Sequence, residues 1–156
     1  MRLIVAAVGT RMPGWVDAAF ADYARRMPRK ARIELVEIRP EPRRTGGTVA
    51  RLLGAEARRL RSALPARCTT VALDERGRAL TTAELAGRLE RWLAEGEDVA
   101  FLIGGADGLE PGLKATAALA MRLSSFTLPH GLARVVLAEQ LYRALSIVEG
   151  LPYHRE

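Results

Sequence analysis

The sequence predicts an α/β protein: a mostly parallel sheet flanked by helices, built as a single domain over residues 1–156. Three observations carry this. Val99 to Ile103 is a short, wholly apolar run that breaks at Gly104-Gly105-Ala106-Asp107-Gly108, as a strand buried on both faces does. Pro111 then opens a helical pattern. A second strand-like run from Ser125 to Leu128 ends at Pro129-His130-Gly131 and is followed by another helix. Strand, loop, helix, strand, loop, helix makes the strands parallel, so both loops leave from carboxyl ends of strands, where open α/β sheets place ligands.

The elements before this block repeat the alternation. Arg2 to Val8 reads as the first strand, closed by Gly9-Thr10. Its apolar run is too short for a signal peptide's core and lacks a clear cleavage site. Trp15, Val16, Ala19, Phe20 and Tyr23 recur at helical spacing, which makes Trp15 and Phe20 core residues of a helix ending near Met27-Pro28. Ile33 to Ile38 is a second strand. Residues 40–47 form a basic Pro/Gly-rich loop, read either as a solvated connector or as a mobile arm for phosphate. Val49, Leu53, Ala57, Leu60 and Leu64 mark a second helix whose arginines, Arg51, Arg58, Arg59 and Arg61, lie largely on its other faces.

Thr69 to Leu73 is a third strand, ending at Asp74-Glu75-Arg76-Gly77. Thr81-x-x-Glu84 has the form of a capping box, Leu85, Leu89, Trp92 and Leu93 give the next helix its stripe, and Gly96 sits where a C-cap belongs. In the final helix, Leu132 to Val148, the apolar positions spread too widely for one-sided burial. A second covered face predicts a subunit interface. The chain closes on a polar tail, Leu151 to Glu156.

Composition narrows the function. The 156 residues carry a net charge of +6 at a pI near 10.4, which favours a polyanionic partner. Only Lys30 and Lys114 are lysines, and arginine suits bidentate phosphate contacts and stacking on bases. The single Cys68 rules out a disulfide framework and a cysteine zinc cluster within one chain, making the cytoplasm the expected compartment. No run approaches the length of a membrane span, and no metal is expected. Gly104-Gly105-x-x-Gly108 is not the dinucleotide fingerprint, and no phosphate-loop signature occurs. What remains is a pocket of backbone at three strand ends: Leu73-Asp74, Ile103-Gly104-Gly105 and Leu123 to Leu128. Glycines there allow main-chain groups to approach a ligand closely.

MRLIVAAVGTRMPGWV, LDERG, FLIGGADGL, LSSFTLPHGLARVVLAEQLYRA and the terminal PYHRE together resemble the SPOUT methyltransferases, in particular the small pseudouridine methyltransferases of the large ribosomal subunit, in register from Met1 to Glu156. The resemblance implies a deep trefoil knot in the carboxyl-terminal part, a homodimer, and S-adenosylmethionine as cofactor. It implies N3-methylation of a pseudouridine in 23S rRNA within the assembled 70S ribosome. By matching motif, Leu73, Gly104 and the run Leu123, Ser124, Ser125, Phe126, Thr127 and Leu128 would bind the cofactor, largely through backbone; Gly105 joins them from the loop reading. Candidates for removing the N3 proton or stabilising the anion are His130, Glu139, Arg143, Tyr153, His154 and Arg155. In this scheme His154 or Glu139 accepts or relays the proton, Arg143 and Arg155 hold phosphate and base, and Tyr153 stacks on the base. Two other readings predict different binding. A non-catalytic ribosome-binding protein would bind RNA without cofactor, and an oxidoreductase would bind a nicotinamide.

Overall fold

Five parallel strands in the order β2-β1-β4-β3-β5 form the sheet of the computed structural model, which describes all residues except Arg44 and Glu156. They are β1 (Arg2–Val8), β2 (Arg32–Ile38), β3 (Cys68–Ala79), β4 (Asp98–Ile103) and β5 (Leu119–Arg122). The helices are α1 (Gly14–Arg26), α2 (Val49–Ala63), α3 (Thr82–Glu95), α4 (Pro111–Thr116) and α5 (His130–Val148). β1 and β4 pair in register from Leu3↔Val99 to Ala7↔Ile103 at the centre of the sheet.

These strands read as unbroken apolar runs because both faces are covered. Leu3, Val5 and Ala7 pack on one side with Phe20 of α1, Leu85, Leu89 and Trp92 of α3 and Leu137, Leu141 and Leu145 of α5. Ile4, Ala6 and Val8 pack on the other with Ala57 and Leu60 of α2 and Leu113 of α4. The strand period of two thus sorts one short run into two cores. The capping box is present, Glu84 N–H donating to Thr81 Oγ1 at 3.2 Å and Thr81 N–H to Glu84 Oε2 at 2.8 Å. Gly96 closes α3 in the left-handed conformation.

The structure corrects three expectations. The fifth strand is Leu119–Arg122, whereas Ser125–Leu128 is loop and α4 stops at Thr116. Ala115 to Met121 has strong intrinsic helix propensity, but tertiary pairing overrides it: Ala118 N–H donates to Thr70 O at 2.9 Å and Leu119 pairs with Val71. At Ser124 the hydroxyl accepts from Phe126 N–H at 2.9 Å, a local turn that competes with a strand ladder. Trp15 is 57% exposed rather than core; Val16 and Phe20 carry the burial of α1. The third strand also runs past Asp74 to Ala79, its register against β5 shifting between Leu73 and Arg78. Gly77 makes that stretch possible, because a Cβ there would lie 2.6 Å from the Met121 backbone.

Candidate functional site

A cavity of about 560 Å³ opens at the carboxyl ends of the strands, within the usual range for small-molecule sites. It is bounded by the β3 end (Leu73, Asp74, Glu75), the β4 loop (Ile103 to Ala106 and Gly108) and the loop from Arg122 to Leu128, with Val8, Pro40, Glu41, Arg43, Glu56, His130 and Ala133 completing the wall. The expected cofactor residues are gathered there: Leu73, Gly104, Gly105, Leu123, Ser124, Phe126, Thr127 and Leu128 all line it, and only Ser125 stands outside the lining. The residues missed as strand are therefore the residues that form one wall. Phe126 is largely exposed.

Gly104 has no room for a side chain. A Cβ on it would collide with the Gly108 carbonyl group and lie 2.7 Å from Leu109 N. The loop folds back on itself, Gly108 N–H donating to Gly105 O at 3.0 Å. On the β3 side, burial pushes the Asp74 carboxyl up, but the Lys114 ammonium at 2.9 Å and the Arg76 N–H at 3.2 Å outweigh it and hold Asp74 below the usual carboxylate range. Asp74 stays ionised at neutral pH.

The floor is fixed by a buried cation. Arg134 of α5, fully buried, donates from Nε to His130 Nε2 at 2.9 Å, from Nη1 to Glu37 Oε2 at 2.8 Å and from Nη2 to Gly9 O at 2.9 Å. A guanidinium has only donors, so His130 Nε2 accepts and the proton sits on Nδ1, which donates to Gly104 O at 3.0 Å. Burial, and next the Arg134 charge, push the His130 imidazole below its ordinary value. Neutral His130 thus ties α5 to the β4 loop, and Arg134 ties it to the ends of β1 and β2. Both ring nitrogens are engaged in holding the wall.

The other proton-transfer candidates lie elsewhere in the chain. Glu139, nine residues along α5 and so about 13 Å from His130, accepts from Arg143 Nε at 2.7 Å, Gln140 Nε2 at 2.7 Å and the Tyr153 hydroxyl at 3.1 Å. The Arg143 guanidinium lies 4.7 Å from the Tyr153 ring centroid. Tyr153 also packs on Tyr142 and reaches the Tyr23 hydroxyl at 3.5 Å. Its burial, that hydroxyl and the Glu139 carboxylate all raise the Tyr153 phenol, which remains protonated. The tail, Pro152–Arg155, makes one 3-10 turn against α5. His154 Nδ1 is buried with no hydrogen-bond partner among the described residues, and Arg155 is exposed. Glu139, Arg143 and Tyr153 are therefore one cluster with His154 and Arg155 on the adjoining turn, and none of the five lines the cavity.

Two residues escaped the sequence reading. Glu56 falls three residues after Leu53 and four before Leu60, on the apolar stripe of α2, and an acid in that phase was the available signal. Arg134, bracketed by Leu132, Ala133, Val135 and Val136, carried the same kind of signal.

Glycine loops from parallel strand ends around a ligand-sized cavity define an α/β fold with a small-molecule site, and the family comparison gives its class. Residues 1–154 match the family model described as "Predicted SPOUT methyltransferase". The chain belongs to the SPOUT methyltransferase family. Within it, the chain is 59% identical over 155 residues to a protein of Bordetella pertussis and to one of Ralstonia nicotianae, each alignment covering 99% of both chains. It is 55% identical to a Laribacter hongkongensis protein, with complete coverage of both. All three are named ribosomal RNA large subunit methyltransferase H. Among solved structures, it is similar to the SpoU methyltransferase AviRb of Streptomyces viridochromogenes, determined with AdoMet, at a TM-score of 0.47 and 14% identity over 90% of this chain and 57% of that one.

Proposed function

We propose that this methyltransferase places a methyl group on N3 of a pseudouridine in 23S rRNA within the assembled 70S ribosome, acting as a cytoplasmic homodimer with S-adenosylmethionine as methyl donor. The observation that carries the reading is the cavity at the strand ends, lined by the loops that the family resemblance assigns to the cofactor. The names of the full-length relatives support a large-subunit rRNA substrate. The net charge of +6 suits a polyanionic one.

The cavity fits the proposed donor. Leu73, Ile103, Leu123 and Leu128 offer apolar walls for a purine, the Gly104-Gly105 and Leu123–Leu128 loops offer main-chain donors and acceptors, and Glu56 and Asp74 offer negative charge. When bound, the donor supplies a methyl already activated on a sulfonium. The protein's share is to hold the nucleophile in line and dispose of the N3 proton.

The groups suited to that second task sit on the far part of α5 and on the tail. A single chain leaves them away from its cavity. A second copy bringing its tail to this cavity makes one composite site. The half-buried Val135 and Val136 on α5 and the His154 Nδ1, without a partner among the described residues, support such an interface. In that arrangement Glu139 or His154 takes or relays the N3 proton, Arg143 and Arg155 hold phosphate and base, and Tyr153 stacks on the base as a neutral phenol.

Deleting residues 152–156 tests the arrangement. Methyl transfer to ribosomes is lost while the dimer and binding of S-adenosylmethionine persist. Full activity in the truncated protein contradicts the composite site. Mass spectrometry of 23S rRNA from cells with and without the gene tests the substrate, and the expected difference is one methylated pseudouridine.

A further inference from the structure

Glu56 is the one buried acidic residue among the described residues, 6% exposed, and it forms part of the cavity wall. Its position follows from α2: the stripe that buries Leu53, Ala57 and Leu60 against the sheet carries Glu56 inward with them. Oε1 accepts the Glu41 N–H at 3.1 Å. Oε2 faces the β4 loop, where a Cβ on Gly105 would lie 3.7 Å from it. No cation among the described residues pairs with this carboxylate. Of the other acids on the wall, Glu41 is matched by Arg59 and Asp74 by Lys114, and Glu75 is exposed. Among the described residues no cluster of His, Cys, Asp and Glu has the makings of a metal site.

A buried carboxylate is stable when an opposite charge accompanies it. One that is fixed by a single backbone bond, on the wall of a ligand cavity, has its second oxygen left for what enters there. From this geometry we infer that Glu56 Oε2 binds the ammonium group of the cofactor's amino-acid arm, and so makes the cavity select for ligands that carry it. The inference rests on the S-adenosyl cofactor proposed above. It adds a residue outside the three strand-end loops, contributed by α2.

The test compares two ligands on the full-length protein by titration calorimetry. S-adenosylhomocysteine carries the ammonium; 5′-methylthioadenosine keeps the adenine, ribose and sulfur but lacks the amino-acid arm. Glu56→Gln retains the acceptor for the Glu41 N–H and removes the charge. The variant should lose about 10- to 100-fold in affinity for S-adenosylhomocysteine, the range for a hydrogen bond to a charged group, and bind methylthioadenosine as the native protein does. Equal weakening of both ligands overturns the inference and makes Glu56 a structural or ribose-binding residue. Unchanged affinity for both overturns it as well. Failure of the native protein to bind either ligand is a different result, which removes the cofactor reading itself.

Discussion

Replacing Arg134 with methionine keeps most of the volume of the side chain and removes every donor. The native guanidinium satisfies His130 Nε2, Gly9 O and Glu37 Oε2 at 2.8–2.9 Å. Glu37 keeps 36% of its side chain in solvent, so its carboxylate rehydrates at small cost. The Gly9 carbonyl is buried and the imidazole half-buried, and an unsatisfied buried acceptor costs about 1–3 kcal/mol. Two of them make Arg134→Met destabilising by about 2–6 kcal/mol. At about 2–4 °C per kcal/mol for a chain of this size, the melting temperature falls by about 4–24 °C. Glu37→Gln leaves both inner bonds in place but takes the opposite charge from a fully buried guanidinium, so it is destabilising in its own right, by about 1.5–3 kcal/mol. Urea unfolding at pH 7.5 measures both. Nitrogen NMR adds an independent readout, since the native His130 carries its proton on Nδ1 and loses that preference when Nε2 has no donor facing it. A loss below about 1 kcal/mol in Arg134→Met, or a native His130 protonated on Nε2, refutes the reasoning.

Other consequences are simpler to state. His130 has a folded-state pKa below that of the unfolded chain. Its contribution is therefore complete above the unfolded value of about 6.5 and is lost as pH falls below it. The stability advantage of the native protein over His130→Asn is accordingly larger at pH 7.5 than at pH 5, and a constant difference contradicts this. Gly104→Ala forces a Cβ into the Gly108 carbonyl group; it is destabilised by about 1–3 kcal/mol and loses cofactor affinity in the same calorimetric titration. Gly77→Ala meets the Met121 backbone at 2.6 Å, so it loosens β5 and lowers the melting temperature, an effect that hydrogen exchange at Leu119 to Arg122 localises. Tyr153→Phe removes the bond to Glu139 but keeps the ring, so methyl transfer falls while RNA affinity changes little.

Much of this arrangement is legible before any coordinates. β1 and β4 are visible because burial on both faces leaves no polar residue in the run, and α3 because its cap, stripe and terminal glycine all agree. The wall of the cavity is visible for a related reason: glycines after a strand suit a tight turn as well as a close ligand, but three such loops at one sheet edge point to a site. β5 is hidden because Leu119-Ala120-Met121-Arg122 is good helix sequence, held extended only by β3. Trp15 misleads because helical spacing identifies a stripe without giving its width. Glu56 and Arg134 are the instructive omissions. The phase of each within an apolar stripe marks it as buried, but the partners of Arg134, from Gly9 to His130 across most of the chain, leave no local pattern.

The most direct test of the central claim is transfer of labelled methyl from S-adenosylmethionine to ribosomal substrates that lack the modification, with 70S ribosomes, isolated 50S subunits and naked 23S rRNA compared in parallel. The account predicts label at one pseudouridine of 23S rRNA and only in the 70S particle. Label on naked 23S rRNA at comparable rate contradicts the assembled-ribosome substrate, and no label on any of the three, by a protein that binds the cofactor, contradicts the rRNA assignment.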